Sequence, residues 1–320
     1  MLKKMVFLGT GGTIAGTAVE ASDNVGYTAA QLGVGQLLQA IPRLQQALGA
    51  HAFLAEQVVQ VDSKDMGWSQ WRVLAERLQH HLAQSDVHSI VVTHGTDTLE
   101  ETAFFLSRVL SKKLLALKSV VLTCAMRPAS SLAPDGPQNV LDAVAVACSA
   151  QAHGVLVVCA GTVHSAHDVQ KIHPYRLNAF DSGDAGPLAY VEEGQVRWLH
   201  ACPGVDASAA DFPQVALAKD PWPRVEIITS YAGATGATVR ALCAESAVQG
   251  IVVAGTGNGT IHQDLELALS EAQARGVRVV RSTRCAYGSV VVGAAAGAFQ
   301  DSQGLPPVKA RIALMLELMA

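Results

Sequence analysis

Residues 89–102 read SIVVTHGTDTLEET, and this short stretch contains a complete change of secondary structure. An apolar, β-branched run, Ser89–Thr93, is followed by a polar turn and then by a segment with helical periodicity, Leu99–Leu110. An apolar run of this length that ends at a turn is typical of a buried strand. A strand that leads through a short turn into a helix is half of a βαβ unit, which predicts a parallel sheet.

The same alternation repeats through the first half of the chain. The other predicted strands are Met5–Leu8, Phe53–Val61, Ser119–Thr123 and Gly154–Val158, and the other predicted helices lie near Ala29–Ile41, Ser69–Gln84 and Gln138–Ala150. We therefore expect an α/β fold in which helices cover both faces of a mostly parallel sheet. Ligands bind at the carboxyl ends of the strands in such sheets, so the polar residues that follow the strands are candidate site residues.

A second, smaller unit is predicted after a hairpin and a linker. Ala189–Val191 and Gln195–Leu199 predict the hairpin, and residues 204–223 are rich in Pro, Asp and Ala and predict the linker. The alternation then resumes, with strands at Val225–Thr229, Gly250–Ala254 and Val277–Arg281 and helices near Ala237–Glu245, Gln263–Ala274 and Pro307–Leu318. The predicted domains are therefore a larger N-terminal α/β sandwich, 1–203, and a smaller C-terminal α/β domain, 224–320.

Composition excludes several classes of protein. The 320 residues are 50% hydrophobic and 16% charged, which excludes intrinsic disorder because the chain has ample apolar surface to bury. The net charge of -4 and the lack of a basic cluster argue against nucleic-acid binding. No apolar run is long enough to span a membrane, so no membrane partner is expected.

The cysteines and the N-terminus together predict a cytoplasmic protein. None of the six cysteines forms a Cys-x-x-Cys pair, so we expect reduced, buried thiols and no structural metal. Lys3 and Lys4 precede an apolar run, Met5–Leu8, that is too short for the hydrophobic region of a signal peptide. The scattered histidines form no ligand pair, and His80 and His81 are expected to be solvated on a helix surface.

A glycine-rich loop, Gly9–Gly16, follows the first predicted strand. It is not a dinucleotide-binding loop, because Ile14 replaces the third glycine, and it is not a P-loop, because Thr17 follows it instead of lysine. Its glycines allow close backbone approach, its N–H groups could form an anion-binding nest, and Thr10 and Thr13 add hydroxyls. The loop is consistent with either a tight turn or a functional site.

The polar turn after Ser89–Thr93 has both a structural and a functional interpretation. Thr98 is predicted to cap the following helix, and Glu101 would complete a capping box with it. Thr96 and Asp97 are expected to face the cleft at the end of the strand. We expect both interpretations to hold.

The segments TGGTIAG at 10–16 and THGTDTLEETAFFL at 93–106 closely resemble the two signatures of bacterial-type L-asparaginases, the asparaginase/glutaminase family. Further blocks resemble the family in the same order along the chain, namely Gly26–Thr28, Val61–Met66, Ala125–Pro128, Asp135–Pro137, Asp168–Lys171 and Gly255–Gly259. The resemblance covers nearly the whole chain. It implies an amidohydrolase without a cofactor that converts L-asparagine and water to L-aspartate and ammonia.

The family resemblance also implies which residues carry the reaction. Thr13 matches the nucleophile that forms a β-aspartyl ester, and Tyr27 matches the lid tyrosine that closes over it. Thr96, Asp97 and Lys171 match the second catalytic group. This assignment is chemically reasonable, because a threonine hydroxyl needs a base, and a lysine shielded from water can serve as one.

Substrate-binding residues and an oligomeric state follow from the same resemblance. Backbone N–H groups near Gly12 and Thr96 are expected to bind the oxyanion, a type of contact typically worth about 3–4 kcal/mol per donor. Ser63 and Asp97 are expected to hold the α-carboxylate and α-ammonium groups of the amino acid. Asn258 is expected to reach the site from a neighbouring subunit of a homotetramer built as a dimer of dimers.

Two positions depart from the family pattern. Lys64 stands where relatives often have a glutamine that helps to hold the ammonium group. It is expected either to repel the substrate, or to be solvated or paired with an acid. In addition, the segment Cys285–Val290 is short and lacks the acidic residue that relatives place against the partner's substrate, so this contact, which bears on affinity or amide selectivity, is expected to be missing.

Three alternatives to a dedicated asparaginase remain open from the sequence. A broader glutaminase-asparaginase would differ in pocket length, which sequence does not reveal. An ammonia-supplying amidotransferase subunit would usually carry an extra N-terminal domain, whereas Met1 lies close to the first predicted strand. An amino-acid sensor without turnover is disfavoured because the catalytic-type residues are retained.

Overall fold

The computed structural model describes residues 3–208, 211–244, 247–291 and 298–320. The chain forms two compact units that divide between Phe212 and Pro213. This division falls inside the predicted linker, where residues 214–217 form a short helix and residues 209 and 210 lie outside the described part. The linker bounds of 204–223 stay a prediction.

The first unit is built on an eight-stranded sheet with an additional two-stranded ribbon. Its strands are β1 Lys4–Gly11, β2 Ala52–Val61, β3 Val87–Thr93, β4 Ser119–Thr123, β5 Gly154–Cys159, β6 Thr162–Ser165, β7 Gln170–Lys171, β8 Phe180–Asp181, β9 Ala189–Glu192 and β10 Gln195–Trp198. Its helices are α1 Val34–Gln39, α2 Leu44–Leu48, α3 Trp68–Leu82, α4 Leu99–Val109, α5 Lys112–Leu115 and α6 Gly136–Cys148. The large mostly parallel sheet confirms the predicted fold class.

The order of strands determines where a site can form. The sheet runs β10-β9-β6-β5-β4-β3-β1-β2, and the five strands from β2 to β5 are parallel. The chain passes from β1 to β2 on one side and then returns to place β3 on the other side of β1. This reversal is a topological switch point, where the loops after β1 and β3 diverge and leave a crevice for a ligand.

The three central strands β3, β4 and β5 are buried on both faces almost throughout. This explains their continuous apolar, β-branched sequences, because helices cover a parallel sheet on both sides. Phe7 in β1 aligns with Val91 in β3 and Ala55 in β2, and the buried cluster on one face of the sheet includes residues of α1, α2 and α6.

The predicted helix Ala29–Ile41 is wrong at its N-terminal end, because α1 begins only at Val34. The preceding backbone N–H groups are used by the loop that follows β1. Ala30 donates to the carbonyl of Gly12 at 3.0 Å, and Gln31 donates to that of Ala15 at 2.7 Å. Ala30 also has a positive φ of 56°, which interrupts a helix.

The second unit has a four-stranded parallel sheet in the order β11-β12-β13-β14. Its elements are α7 Gln214–Leu217, β11 Arg224–Thr229, α8 Ala237–Ala244, β12 Val248–Gly255, α9 Gln263–Ala274, β13 Arg278–Thr283, β14 Gln300–Asp301 and α10 Pro307–Met319. The predicted helix Ala237–Glu245 corresponds to α8, and its last residue lies outside the described part. Helix α9 has the predicted bounds. None of the helices in the described ranges is long and apolar enough to cross a bilayer.

Candidate active site

Three loops meet at the carboxyl ends of β2, β1 and β3. Gly12 follows β1 with a φ of 80°, and its backbone lies directly against that of Gly95, so a Cβ at Gly12 would clash with Gly95. A Cβ at Gly95 would in turn clash with the side chain of Ser63, which follows β2. Only glycine allows this approach at both positions. The contact brings together segments that are about 80 residues apart in sequence.

The loop after β1 places a buried hydroxyl against a tyrosine. Thr13 lies in a short 3₁₀ turn and is 7% exposed, and its Oγ1 is 2.7 Å from the hydroxyl of Tyr27. Residues 17 and 28 form a pair of backbone hydrogen bonds, each 2.9 Å long, which closes the loop. A Cβ at Gly16 would lie 2.8 Å from Cδ2 of Tyr27, so the glycine makes room for this ring. The predicted nucleophile and the predicted lid tyrosine are therefore in direct contact.

A second hydrogen-bond network joins the turn after β3 to strand β7. The Nζ of Lys171 donates to Oδ1 of Asp97 at 2.6 Å and to Oγ1 of Thr96 at 2.9 Å. The Lys171 side chain is 16% exposed and Thr96 is buried, whereas Asp97 is half exposed. The three residues that the family resemblance grouped together thus form one contiguous cluster. A charged or polar group entering the site would meet Asp97, the most exposed member of the cluster.

Ser63 links the loop after β2 to the same turn. Its Oγ accepts a hydrogen bond of 3.1 Å from the backbone N–H of Asp97, and its carbonyl accepts one of 2.8 Å from the hydroxyl of Thr98. Ser63 is 2% exposed. The Ser63 hydroxyl oxygen therefore helps to fix the position of Asp97. The hydroxyl proton can be donated to a bound group.

The predicted capping box of Thr98 and Glu101 is wrong. Thr98 stands at the N-cap of α4, but within the described residues its side chain makes no capping bond to the helix. Its hydroxyl instead donates to the carbonyl of Ser63, because this arrangement satisfies a carbonyl of the neighbouring loop. The residue therefore fastens two site loops together.

The Lys64 side chain forms ion pairs with two aspartates. Its Nζ is 2.7 Å from Oδ2 of Asp62 and 3.6 Å from Oδ2 of Asp65, and its side chain is 64% exposed. The hydrogen bond to Asp62, followed by the charges of Asp62 and Asp65, raises the pKa of Lys64. The lysine is charged, but two neighbouring carboxylates balance that charge.

His94 is a fully buried neutral residue beside the site. Its Nδ1 is 2.7 Å from the carbonyl of Gly95, and burial lowers its pKa to about 4. At neutral pH the ring is therefore uncharged, and a neutral ring that bonds a carbonyl through Nδ1 must carry its proton there. His94 fixes the orientation of the Gly95 peptide, which lies against Gly12.

Asn258 belongs to the second unit and is exposed in a glycine-rich turn after β12. Its Nδ2 donates to the carbonyl of Val291 at 3.0 Å, and its Oδ1 accepts from the N–H of Val291 at 2.7 Å. An amide side chain has two N–H groups and an oxygen with two lone pairs, so one donor and one acceptor site remain for another partner. The two contacts hold the amide plane in a fixed orientation.

The described residues contain no group of three or more His, Cys, Asp and Glu side chains that could hold a metal ion.

Comparison with known proteins identifies the family. Residues 4–203 match the family model of the asparaginase N-terminal domain, and residues 224–320 match that of the glutaminase/asparaginase C-terminal domain. The chain belongs to the asparaginase family. This confirms the resemblance that the two signatures indicate. The candidate site residues described above lie in the part that the N-terminal model covers, except Asn258, which lies in the part that the C-terminal model covers.

Similar proteins match over nearly the full length. L-asparaginase 2 of Escherichia coli strain K12 is 35% identical over 323 residues, which cover 99% of this chain and 89% of that protein. The glutaminase-asparaginase of Pseudomonas fluorescens biotype A is also 35% identical, over 99% of this chain and 86% of that protein. A crystal structure of a probable cytoplasmic L-asparaginase from Campylobacter jejuni superposes with a TM-score of 0.89 at 34% identity and covers 99% of this chain and 95% of that one.

Sequence reasoning missed Glu100 in this asparaginase-family site. Its Oε2 accepts a hydrogen bond of 3.0 Å from the backbone N–H of Lys171, so the first turn of α4 fixes the strand that carries the lysine. The sequence places an acidic residue in the first turn of α4, but its stabilising effect on the start of a helix is enough to explain such a residue. Only the fold, which brings β7 beside α4, reveals the second role.

Proposed function

We propose that this chain is an L-asparaginase that hydrolyses the side-chain amide of L-asparagine to L-aspartate and ammonia with Thr13 as the nucleophile. The contact between the Thr13 and Tyr27 hydroxyls is the single observation that carries the proposal. It pairs a buried threonine hydroxyl with a second proton-bearing group, within a loop that touches the turn bearing the lysine network. The asparaginase names of full-length relatives support the substrate.

The reaction divides into two acyl-transfer steps. Thr13 Oγ attacks the amide carbon, its proton passes to the neighbouring polar groups, and ammonia leaves from the tetrahedral intermediate. Tyr27 holds the Thr13 hydroxyl in place, and the Lys171–Thr96 pair accepts and returns the proton. Backbone N–H groups of the Gly12 and Thr96 region stabilise the oxyanion. Water then cleaves the ester by the reverse sequence and releases aspartate.

Recognition of the amino acid is assigned to the most polar part of the site. Asp97, half exposed beside Lys171, would attract the α-ammonium group, and Ser63 would donate its hydroxyl proton to the α-carboxylate. This proposal leaves the free face of Asp97 for the substrate, while its Oδ1 remains bonded to Lys171. Lys64 would lie at the rim, with its charge balanced by Asp62 and Asp65.

A broader glutaminase-asparaginase is a second candidate, because two relatives that are 35% and 36% identical over 99% and 91% of this chain carry that name. The two activities differ by one methylene in the substrate, and an apolar pocket typically discriminates that difference by only about 1–3 kcal/mol. Both candidates use the same residues. Measured values of kcat/KM for asparagine and for glutamine would distinguish the two activities.

We further propose that the working protein is a homotetramer, a dimer of dimers, in which Asn258 completes the site of a partner subunit. The support is that Asn258 is exposed, held in a fixed orientation by Val291, and keeps one donor and one acceptor site for another partner. A two-fold interface would give two shared sites in each dimer.

A cytoplasmic location is proposed on chemical grounds and by similarity. All six cysteines are free, which suits a reducing compartment. The structural relative from Campylobacter jejuni is named a probable cytoplasmic L-asparaginase, whereas a Haemophilus influenzae relative is named as probably periplasmic. Activity measured in cytoplasmic and periplasmic fractions of the native host decides between the two compartments.

The test of the proposed function is ammonia release by the purified protein with asparagine and then glutamine, without tRNA. The wild type should turn over asparagine, and Thr13→Ala should lose turnover by at least about 1000-fold while keeping its fold. Thr17→Ala is the matched control, because Thr17 pairs with Thr28 through backbone atoms, and it should keep near-normal activity. Near-normal ammonia release from Thr13→Ala would show that the nucleophile is a different residue. A wild type that binds asparagine without turnover would instead be a sensor.

A further inference from the structure

Two cysteines face each other inside the first unit. The Sγ atoms of Cys124 and Cys159 are 2.8 Å apart, and the residues are 1% and 4% exposed. Both are free thiols. This contact is shorter than an ordinary separation of two sulfur atoms and longer than the 2.03–2.05 Å bond of a disulfide. Neither residue belongs to the proposed catalytic groups.

The register of the sheet explains why these side chains meet. β4 and β5 are parallel neighbours in which Thr123 pairs with Val158. Cys124 directly follows the last residue of β4, and Cys159 is the last residue of β5. Neighbouring strands lie about 4.7–4.9 Å apart, which is within the Cα separation that disulfides span. The two cysteines therefore occupy equivalent positions on adjacent strands.

The backbone at both cysteines is held by one buried side chain. Nδ2 of Asn139 donates to the carbonyl of Cys124 at 2.9 Å, and its Oδ1 accepts from the N–H of Ala160, next to Cys159, at 3.0 Å. Asn139 is 3% exposed and lies in α6. Since the two chain segments are already fixed at this spacing, a bond between the sulfur atoms requires movement of the side chains by less than about 1 Å.

We propose that Cys124 and Cys159 form a reversible disulfide site that closes when the protein meets a peroxide-class two-electron oxidant. One thiolate attacks a peroxide oxygen, the O–O bond breaks, and a sulfenic acid and water form after proton uptake. The second thiolate attacks the sulfenic sulfur, which releases hydroxide and forms the S–S bond. Two thiols and hydrogen peroxide thus give one disulfide and two waters, and a thiol reductant reverses the change.

Burial sets the rate of this reaction. Desolvation, followed by the contact with Cys159, raises the pKa of the Cys124 thiol, so little thiolate is present at neutral pH and oxidation is slow. In folded protein only a small oxidant can reach the pair, so a bulkier thiol reductant acts on it when the chain opens or is unfolded. Cys285 is exposed in the second unit and therefore serves as the fast-reacting reference thiol.

The cross-link is expected to stabilise the protein without blocking its chemistry. It closes a long loop, which restricts the unfolded chain, and it leaves every proposed catalytic side chain unmodified. Oxidised protein should keep asparagine turnover within about twofold of the reduced protein and unfold at a temperature a few degrees higher.

The experiment uses the full-length Cys285→Ser protein, so that the exposed thiol does not interfere. Reduced protein is treated with hydrogen peroxide, alkylated after unfolding and mapped by mass spectrometry, with Cys148→Ser in the same background as the matched control. We expect the loss of two free thiols and a cross-linked peptide pair that is lighter by two hydrogens. Dithiothreitol added to the unfolded protein should restore both thiols. Cys159→Ser in the same background should give no cross-link and no increase in unfolding temperature.

Two results would overturn the proposal. In the first, Cys124 and Cys159 both remain free thiols in native protein after ten times the peroxide exposure that fully oxidises Cys285 in the wild type. The other is conversion of either cysteine to a sulfinic acid without the cross-linked peptide. If Cys159→Ser fails to fold, the peptide map of the Cys285→Ser protein alone decides between these outcomes. The readout is covalent chemistry, so it does not depend on the proposed function.

Discussion

The proposed mechanism depends most strongly on the chemistry of Lys171. Lys171 donates to both Thr96 and Asp97, and its backbone is held by Glu100. Lys171→Met keeps the apolar stem but cannot carry a proton, so kcat should fall by about 100-fold or more. Lys113→Met, at an exposed position of α5, is the control and should leave kcat unchanged. A loss of less than about tenfold in steady-state assays, or roughly 1.4 kcal/mol, would remove Lys171 from the proton path.

Lys64 gives a prediction in which charge balance decides the outcome. Carboxylate oxygens of Asp62 and Asp65 lie 2.7 and 3.6 Å from Nζ of Lys64 and offset its positive charge. We therefore expect little net repulsion of the α-ammonium group of the substrate. Lys64→Gln should therefore change the KM for asparagine by less than about twofold, since an exposed charge in a wet site is strongly screened. Lys64→Arg, which keeps the charge, is the comparison. A fall in KM of fivefold or more in the glutamine variant alone would mean that Lys64 does face the substrate ammonium group.

One partly buried ionic cluster joins β2 to α3. Glu56 in β2 bonds to Arg77 at 2.6 Å and to Nε2 of His81 at 2.8 Å, and His81 is 3% exposed. The hydrogen bond from Arg77 is the main cause of a Glu56 pKa of about 2, against an ordinary value of 4.5. The expectation that His81 is solvated is therefore wrong, because β2 covers that side of the helix.

This cluster predicts a stability difference that depends on pH. The folded pKa of Glu56 is lowered, so its contribution is fully present above pH 4.5 and is lost as the pH falls towards 2. Glu56→Gln should lower the free energy of unfolding at pH 7 by about 1–3 kcal/mol, after allowance for solvent screening. Urea unfolding, monitored by tryptophan fluorescence, should show that the difference in unfolding free energy between the wild type and Glu56→Gln becomes smaller below pH 4.5. Glu192→Gln, which breaks an exposed pair with Arg197, is the control and should have little effect. An equal loss at pH 7 and pH 3 would contradict the ionic origin.

Elements with a single periodic signal could be predicted from the sequence. The strand Ser119–Thr123 and helix α9 have the predicted bounds, because an apolar run between turns and a regular helical pattern each have one interpretation. The start of α1 was missed, because loop hydrogen bonds to Gly12 and Ala15 compete with helix formation. The family resemblance predicted the candidate site residues, including the groupings of Thr13 with Tyr27 and of Lys171 with Thr96 and Asp97. It did not predict the bonds that fasten the loops together, such as that of Thr98 to Ser63, because only the folded sheet brings those loops into contact.

The proposed assembly makes a prediction for the whole molecule. If Asn258 completes a partner's site, Thr13→Ala and Asn258→Ala subunits should each be inactive alone. A hybrid dimer holds one site with both native residues, so equal mixing should restore about a quarter of wild-type activity, because half the dimers are hybrids with one of two sites intact. Light scattering should report about four times the chain mass of 33.4 kDa. A fully active monomer, or no recovery in refolded mixtures, would contradict the shared site.

The backbone contact between Gly12 and Gly95 has a consequence for attempts to redesign the enzyme. Every residue other than glycine carries a Cβ, so randomised libraries at these two positions would consist almost entirely of inactive variants, whatever substrate is used for selection. Lys64, in contrast, has a side chain that is 64% exposed and pairs only with the exposed or partly exposed carboxylates of Asp62 and Asp65 among the contacts described above. Libraries at exposed positions such as this one would keep the close approach of the two loops, whereas the two glycines have to stay fixed.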